Sequence, residues 1–170
     1  PEAQVDRFMM KVMVDYPSDE EEYVIVERVT GPAVQVNAVA TTEQLSQLQA
    51  LCRQVYVDPS LVQYAVKLVS ATRQPEQHGL KDMNRLITYG ASPRATIGLV
   101  EGARALAMLR GRSYALPEDM VDLVPDVLRH RVVLSYEGLS EGLSSEALIG
   151  RIMKHLPVPA RPLEPERRAA

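Results

Sequence analysis

The chain has 170 residues, 46% hydrophobic and 24% charged, with a net charge of -3; this suits one or two soluble units with a real core and excludes a chain that binds nucleic acid through its overall charge. Aromatic residues are only 5% and Trp is absent, so the apolar content is mostly Ala, Leu and Val, which favours packed helices. A single cysteine, Cys52, excludes an internal disulfide, and no apolar run reads as a membrane span or a signal peptide, which makes the cytoplasm the expected location.

The sequence opens PEAQVDRF with no initiator Met, so the chain reads as a fragment of something longer. Phe8 to Pro17, FMMKVMVDYP, is apolar with β-prone valines and predicts a short strand stopped by Pro17. Severed from a sheet, that strand is expected to be disordered, paired with residues 33–39, or joined to a second copy. Ser18 with Glu21 offers a capping box, and Asp19, Glu20 and Glu21 suit the positive end of a helix over about 19–29, with Gly31 placed to end it. Residues 31–40 alternate apolar and polar and read as an extended linker or a short strand, the candidate domain boundary.

Beyond the linker the chain reads as helical throughout. Thr41 with Gln44 caps a helix to about Gln54, whose stripe Leu45, Leu48, Cys52, Val55 makes Cys52 a small core residue and not a reactive thiol. Asp58-Pro59 starts the next helix, with Leu61, Val62, Ala65, Leu68 and Val69 as its buried stripe. Residues 74–90 are polar and punctuated, a loop. Ser92-Pro93 repeats the device of a cap followed by proline and starts a helix over 93–110; RSYAL is a brief extended piece. Pro117 opens a helix to about His130, RVVLSYEG looks extended, and Ser144 caps a last helix to about Leu156. The tail 157–170, with four prolines and little to bury, predicts disorder.

Charge is uneven. Residues 1–30 carry eight acids against three bases, and residues 81–112 carry six bases against two acids. The chain has no G-x-x-x-x-G-K-[ST] loop and no G-x-G-x-x-G. Its three histidines are scattered without ligand spacing to Cys52, so no metal site is expected.

Arg94 is the second residue of its helix, where free N–H groups already carry partial positive charge. A guanidinium there concentrates positive potential and suits an anion, phosphate above all. The residues alone leave open a solvated arginine, or one paired with Asp82 or Glu101. Along the same helix Ala95, Gly98, Gly102, Ala103, Ala105 and Ala107 are small, and the two glycines each cost up to about 1 kcal/mol relative to Ala, so a neighbour is expected to approach closely.

The run YGASPRATIGLVEGARALAMLRGRSYALPEDMVDLVPDVLRHRVVLSYE resembles the C-terminal lid of MoxR-type AAA+ ATPases through its G-A-S-P-R-A, A-R-A-L-A, G-R-x-Y-x-x-P-E-D and L-R-H-R strings. PEAQVDRFMMKVMVDYPSDEEE resembles the last conserved stretch of that family's ATPase core. The resemblance implies a mainly α fold, with a strand-plus-helix remnant of the α/β core at 1–30, a linker at 31–40, a helical lid at 41–156 and a Pro-rich tail at 157–170. It implies that Arg94 is the sensor-2 residue reaching the phosphates of ATP bound in the same subunit, with Ser92 and Pro93 positioning the helix start. It implies that Arg7, in D-R-F, is an arginine finger offered to ATP on a neighbouring subunit; the residues alone leave open a local pair with Asp6 or Glu2. ATP with Mg²⁺, assembly into a ring, chaperone-like remodelling of other complexes and a von Willebrand A domain partner are further implications for a full-length parent. Both Walker motifs are missing here, so this chain is not expected to hydrolyse ATP by itself. Two other readings stand beside this one: a non-catalytic helical module that binds protein or nucleic acid through residues 81–112, and the lid of a magnesium-chelatase-like subunit.

Overall fold

The computed structural model describes residues 2–160. The part of the predicted tail from residue 161 onward lies outside them. The elements run α1 (Glu2–Val5), α2 (Asp19–Thr30), α3 (Thr42–Gln54), α4 (Pro59–Arg73), two 3₁₀ turns (Pro75–His78 and Lys81–Met83), β1 (Ile87–Tyr89), α5 (Pro93–Leu109), α6 (Pro117–Val121), α7 (Val124–Leu128), β2 (Val133–Leu134), α8 (Tyr136–Ser140) and α9 (Ser145–His155).

The caps act where the sequence puts them. Ser18 Oγ accepts from the Glu21 amide while the Glu21 carboxylate accepts from the Ser18 amide at 2.9 Å, and Thr41 and Gln44 form the same reciprocal pair. Asp58, Ser92 and Ser144 accept amide bonds at the starts of α4, α5 and α9. Each satisfies a donor that the first helical turn leaves free.

The core is built by α4, α5, α7 and α9. Leu61, Ala65, Leu68 and Val69 of α4 face Ala95, Leu99, Ala103 and Ala107 of α5, closed by Val124, Val127 and Leu128 of α7 and Leu148, Ile149 and Ile152 of α9, all essentially without solvent contact. β1 and β2 pair antiparallel, with Ile87 opposite Leu134 and Tyr89 opposite Val133. Tyr56 forms a bridge to Tyr114, so RSYAL is extended there.

Several expectations are corrected. Residues 8–17 form no strand and do not pair with residues 33–39. The carbonyls of Asp6, Phe8, Met9 and Lys11 are instead taken by side chains after α7, which leaves residues 6–11 no ladder to form. The segment 74–90 is not a plain loop, since it holds both 3₁₀ turns and β1. The predicted helix 117–130 breaks into α6 and α7, because the Pro125 ring cannot follow a helical carbonyl at position 121. In RVVLSYEG only Val133–Leu134 form a strand; Ser135 then caps α8 by accepting from the Gly138 amide. The stripe on α3 is not core: Leu45 and Leu48 are exposed, Cys52 is half-buried, and only Val55 is buried. α2 buries none of its residues.

Candidate functional site

The start of α5 is fixed from behind by the end of α4. Ala91 donates its amide to Thr72 Oγ1 at 2.9 Å, and Arg73 Nη1 donates to the Ala91 carbonyl at 2.5 Å. Gly90 lies so close that an added Cβ would sit 2.2 Å from the Thr72 carbonyl oxygen. Only glycine fits that approach, which gives Y-G-A-S-P-R-A a geometric reason for its second residue. Pro93 then occupies the first helical position and Ser92 Oγ accepts from the Arg94 amide at 3.2 Å.

The anion at this helix start is internal. Ser92 Oγ–H donates to the Asp6 carboxylate, 2.9 Å from Oδ2, and Arg94 Nη1 lies 3.4 Å from the same oxygen. Arg94 is thus paired with neither Asp82 nor Glu101, and its side chain remains 56% exposed. A third donor, Arg131 Nε, reaches Asp6 Oδ1 at 3.0 Å. Burial pushes the Asp6 carboxyl up, but the Ser92 and Arg131 hydrogen bonds, the Arg131 charge and the Arg94 hydrogen bond together hold it below its ordinary value.

Arg131 does more than neutralise Asp6. Its side chain is 2% exposed, and it also donates to the carbonyls of Asp6 (2.9 Å), Phe8 (2.6 Å), Met9 (3.0 Å) and Val127. The rest of the L-R-H-R turn joins in. Arg129 Nη1 donates to the Lys11 carbonyl at 3.0 Å, and His130 donates through Nε2 to the Phe8 carbonyl at 3.0 Å. A carbonyl only accepts, so the ring carries its proton on Nε2. Burial holds His130 below its ordinary pKa, outweighing the hydrogen bond to Phe8. Met9 and Met10 lie along α5, within 3.3 Å of where a Gly102 Cβ would stand, and Met9 also flanks Gly98. The close neighbour expected from those glycines is found at Gly102, where Leu123 and the two methionines crowd the position, whereas at Gly98 Val127 and Met9 stand at ordinary contact distance.

Asp6, Arg7, Met9, Arg94, Ile97, Gly98, Glu101 and Arg131 line one open cleft of about 160 Å³. Arg7 is exposed there, and among the described side chains no carboxylate pairs with it. The fold therefore brings the two predicted arginines, Arg7 and Arg94, to a common cleft. Each guanidinium can donate to phosphate oxygens, Arg94 beside the free N–H groups of the α5 start and Arg7 from the segment packed next to it. Among the described residues no group of three or more His, Cys, Asp or Glu is arranged to hold a metal, and no helix is long and apolar enough to cross a membrane.

Sequence reasoning missed Arg131, and it offered Asp6 only as a local partner of Arg7, not as the partner of Ser92, Arg94 and Arg131. The L-R-H-R string was the available signal, since two arginines and a histidine after a helix need acceptors, but its acceptors lie more than a hundred residues away. The P-E-D string serves the fold. The fully buried Asp119 accepts from Arg112 Nη1 and Nη2 (2.7 and 2.6 Å), Arg110 Nη1 (2.8 Å) and the Leu116 amide (2.7 Å). Burial pushes its carboxyl up, and the Arg112, Leu116 and Arg110 bonds more than reverse this, so it titrates below its ordinary value.

Residues 80–152 match the family model of the AAA lid domain. Along 94% of its length the chain is 43% identical to Chaperone MoxR1 of Mycobacterium tuberculosis, covering 42% of that protein, and 35% identical to Protein MoxR of Paracoccus denitrificans, covering 51% of it. A solved structure from Cytophaga hutchinsonii, provisionally assigned as an ATPase, superposes with a TM-score of 0.88 at 36% identity over 94% of this chain and 49% of that one. The chain spans about half the length of the curated relatives it matches.

Proposed function

Since this chain belongs to the MoxR family of AAA+ ATPases, we propose that it is the part that senses nucleotide, a helical lid at 41–156 with the end of the ATPase core at 1–30. In the protein that also carries the Walker motifs, the lid couples binding and hydrolysis of ATP to chaperone-like remodelling of partner complexes. Arg94 is the sensor-2 residue for the terminal phosphate, held ready by Ser92 and Pro93. Arg7 is the arginine finger, acting on nucleotide in the next subunit of a ring, where it stabilises charge on the transferred phosphoryl oxygens. ATP and Mg²⁺ are bound mainly by the core; a von Willebrand A domain protein is the partner class, and the cytoplasm is the compartment. Alone, the chain does not turn over ATP.

The observation that carries this reading is the placement of Arg94. It sits at a capped, proline-fixed helix start, largely exposed, with a single long contact to Asp6. A residue built for the core would be buried, and a residue built for an ion pair would be closer. The nucleic-acid reading is weakened by the other bases of 81–112: Arg85 pairs with Glu141, and Arg110 and Arg112 with Asp119.

The test is steady-state turnover in the ATPase containing core and lid. Arg94→Ala is expected to lower turnover by roughly 10-fold or more while circular dichroism stays unchanged, and Arg94→Lys to recover little, since an ammonium lacks the planar fork. Arg104→Ala, farther along α5, is expected to matter much less. Turnover of Arg94→Ala equal to that of the parent would refute the assignment.

A further inference from the structure

Asp6 receives three side-chain donors, and two of them are arginines of opposite character. Arg131 is buried and spends its remaining N–H groups on four carbonyls, so leaving Asp6 would strand a whole set of interior bonds. Arg94 is 56% exposed and touches Asp6 once, at 3.4 Å. An exposed pair of that length is worth little and is readily exchanged. One arginine therefore fixes the carboxylate in place, and the other only borrows its charge.

Asp6 is also covalently next to Arg7. The Asp6 carbonyl is held by Arg131 Nη2 at 2.9 Å and the Phe8 carbonyl by Arg131 at 2.6 Å, so the backbone on both sides of Arg7 is clamped to the lid. The clamp sets where the Arg7 guanidinium starts from.

We propose that Asp6 is a positioning residue with two tasks: it is the resting counter-ion that parks Arg94 until phosphate displaces it, and, held by Arg131, it anchors the segment that presents Arg7. This rests on the sensor-2 reading of Arg94. Both tasks follow from the same geometry. Phosphate and Asp6 compete for one guanidinium, so Asp6 weakens nucleotide binding. When Arg94 leaves, Asp6 keeps Ser92 and Arg131, and the Arg7 segment stays docked. A purely structural Asp6 would have no reason to oppose ligand binding.

These tasks predict a split between KM and kcat. Turnover is measured over a range of ATP concentrations in the ATPase containing core and lid, for the parent, Asp6→Asn, Arg94→Ala and the double variant. Asp6→Asn is expected to lower KM by about two- to fivefold, the worth of a half-exposed ion pair, KM following affinity where chemistry is slower than dissociation. It is expected to lower kcat by roughly 10-fold or more, because a displaced finger loses its geometry. In the Arg94→Ala background, Asp6→Asn no longer changes KM. If Asp6→Asn leaves KM unchanged or raises it while Arg94→Ala is damaging, the counter-ion role is overturned and the sensor reading stands. If Arg94→Ala behaves as the parent, the sensor reading falls and this proposal with it. Asp6→Asn leaves the buried Arg131 without its charged partner, so Asp6→Ala with Arg131→Met, which strands no buried charge, is measured in parallel. The same fall in KM is expected, and its absence in a folded protein overturns the proposal.

Discussion

The Arg131 guanidinium lies 3.0 Å from the Asp6 carboxylate although 125 residues separate the two along the chain. Around that pair the N-terminal segment trades backbone pairing for the side chains of the lid, and the start of α5 finds its anion.

Removing Arg131 should release residues 6–11 without unfolding the helical core. Arg131→Met removes a donor from four carbonyls and from the Asp6 carboxylate, which keeps Ser92 and Arg94, and the expected loss is about 2 kcal/mol or more of docking stability. Limited proteolysis between Arg7 and Lys11 should become rapid while the helical circular dichroism signal is kept. Cleavage as slow as in the parent would show that the clamp does not hold the segment.

Acid should undo the same contact. The folded Asp6 and Asp119 carboxyls both titrate below the ordinary 3.8. Their contribution to stability is therefore fully present above that value and is lost as pH falls through the lower folded values. Urea midpoints measured at descending pH should drop below about pH 4. They should drop less steeply in Asp6→Asn, which has no charge there to lose.

Asp119 is expected to be the costliest acidic residue to replace. Asp119→Ala leaves Arg112 and Arg110 short of a carboxylate and the Leu116 amide without its acceptor, at a position that is itself fully buried although both arginines reach solvent. A loss of about 2 kcal/mol or more follows from the unmet Leu116 amide and the lost bonds to Arg112, read as a fall in the thermal midpoint. A loss below 1 kcal/mol would contradict a structural role for P-E-D.

Two glycines should respond oppositely to alanine. At Gly90 the new methyl meets backbone atoms of Thr72 and Arg73 at 2.2 to 2.7 Å, which cannot move aside, so Gly90→Ala should destabilise strongly. At Gly98 the nearest atom is Val127 Cγ1 at 3.5 Å, an ordinary contact, so Gly98→Ala should be neutral or gain up to about 1 kcal/mol from helix propensity. Paired thermal melts decide the contrast.

An arginine finger acting between subunits predicts a mixing effect. Arg7→Ala in the ATPase containing core and lid should cut turnover by about 10³-fold or more when every subunit carries it. Mixed with subunits that lack a working nucleotide site but keep Arg7, activity should partly return. Failure to recover in rings shown to be mixed would place the role of Arg7 within its own subunit.

What the sequence determined by itself was local. The helix starts at Ser18, Thr41, Asp58, Ser92 and Ser144 are legible because a cap, its proline or its capping-box partner lies within three residues, and helical spacing on α4 names Leu61, Ala65, Leu68 and Val69 as buried, though Val62 is only half-buried and Tyr64 is buried in addition. The resemblance to MoxR lids was likewise carried by contiguous strings. The tertiary structure alone decided the rest. The segment after Phe8 has strand propensity, but the carbonyls of Phe8, Met9 and Lys11 go to distant side chains, and Val12 and Val14 stay exposed with no strand beside them. The stripe on α3 had the right spacing and still stayed exposed, because spacing sets a face and only a neighbouring element can bury it. Arg94 could be read as poised for an anion, yet its resting partner depends on Asp6, and Asp6 is placed by Arg131, which no local pattern connects to it. Hydrogen bonds and ion pairs act over a few ångströms of space, and only the folded chain decides which residues are brought that close.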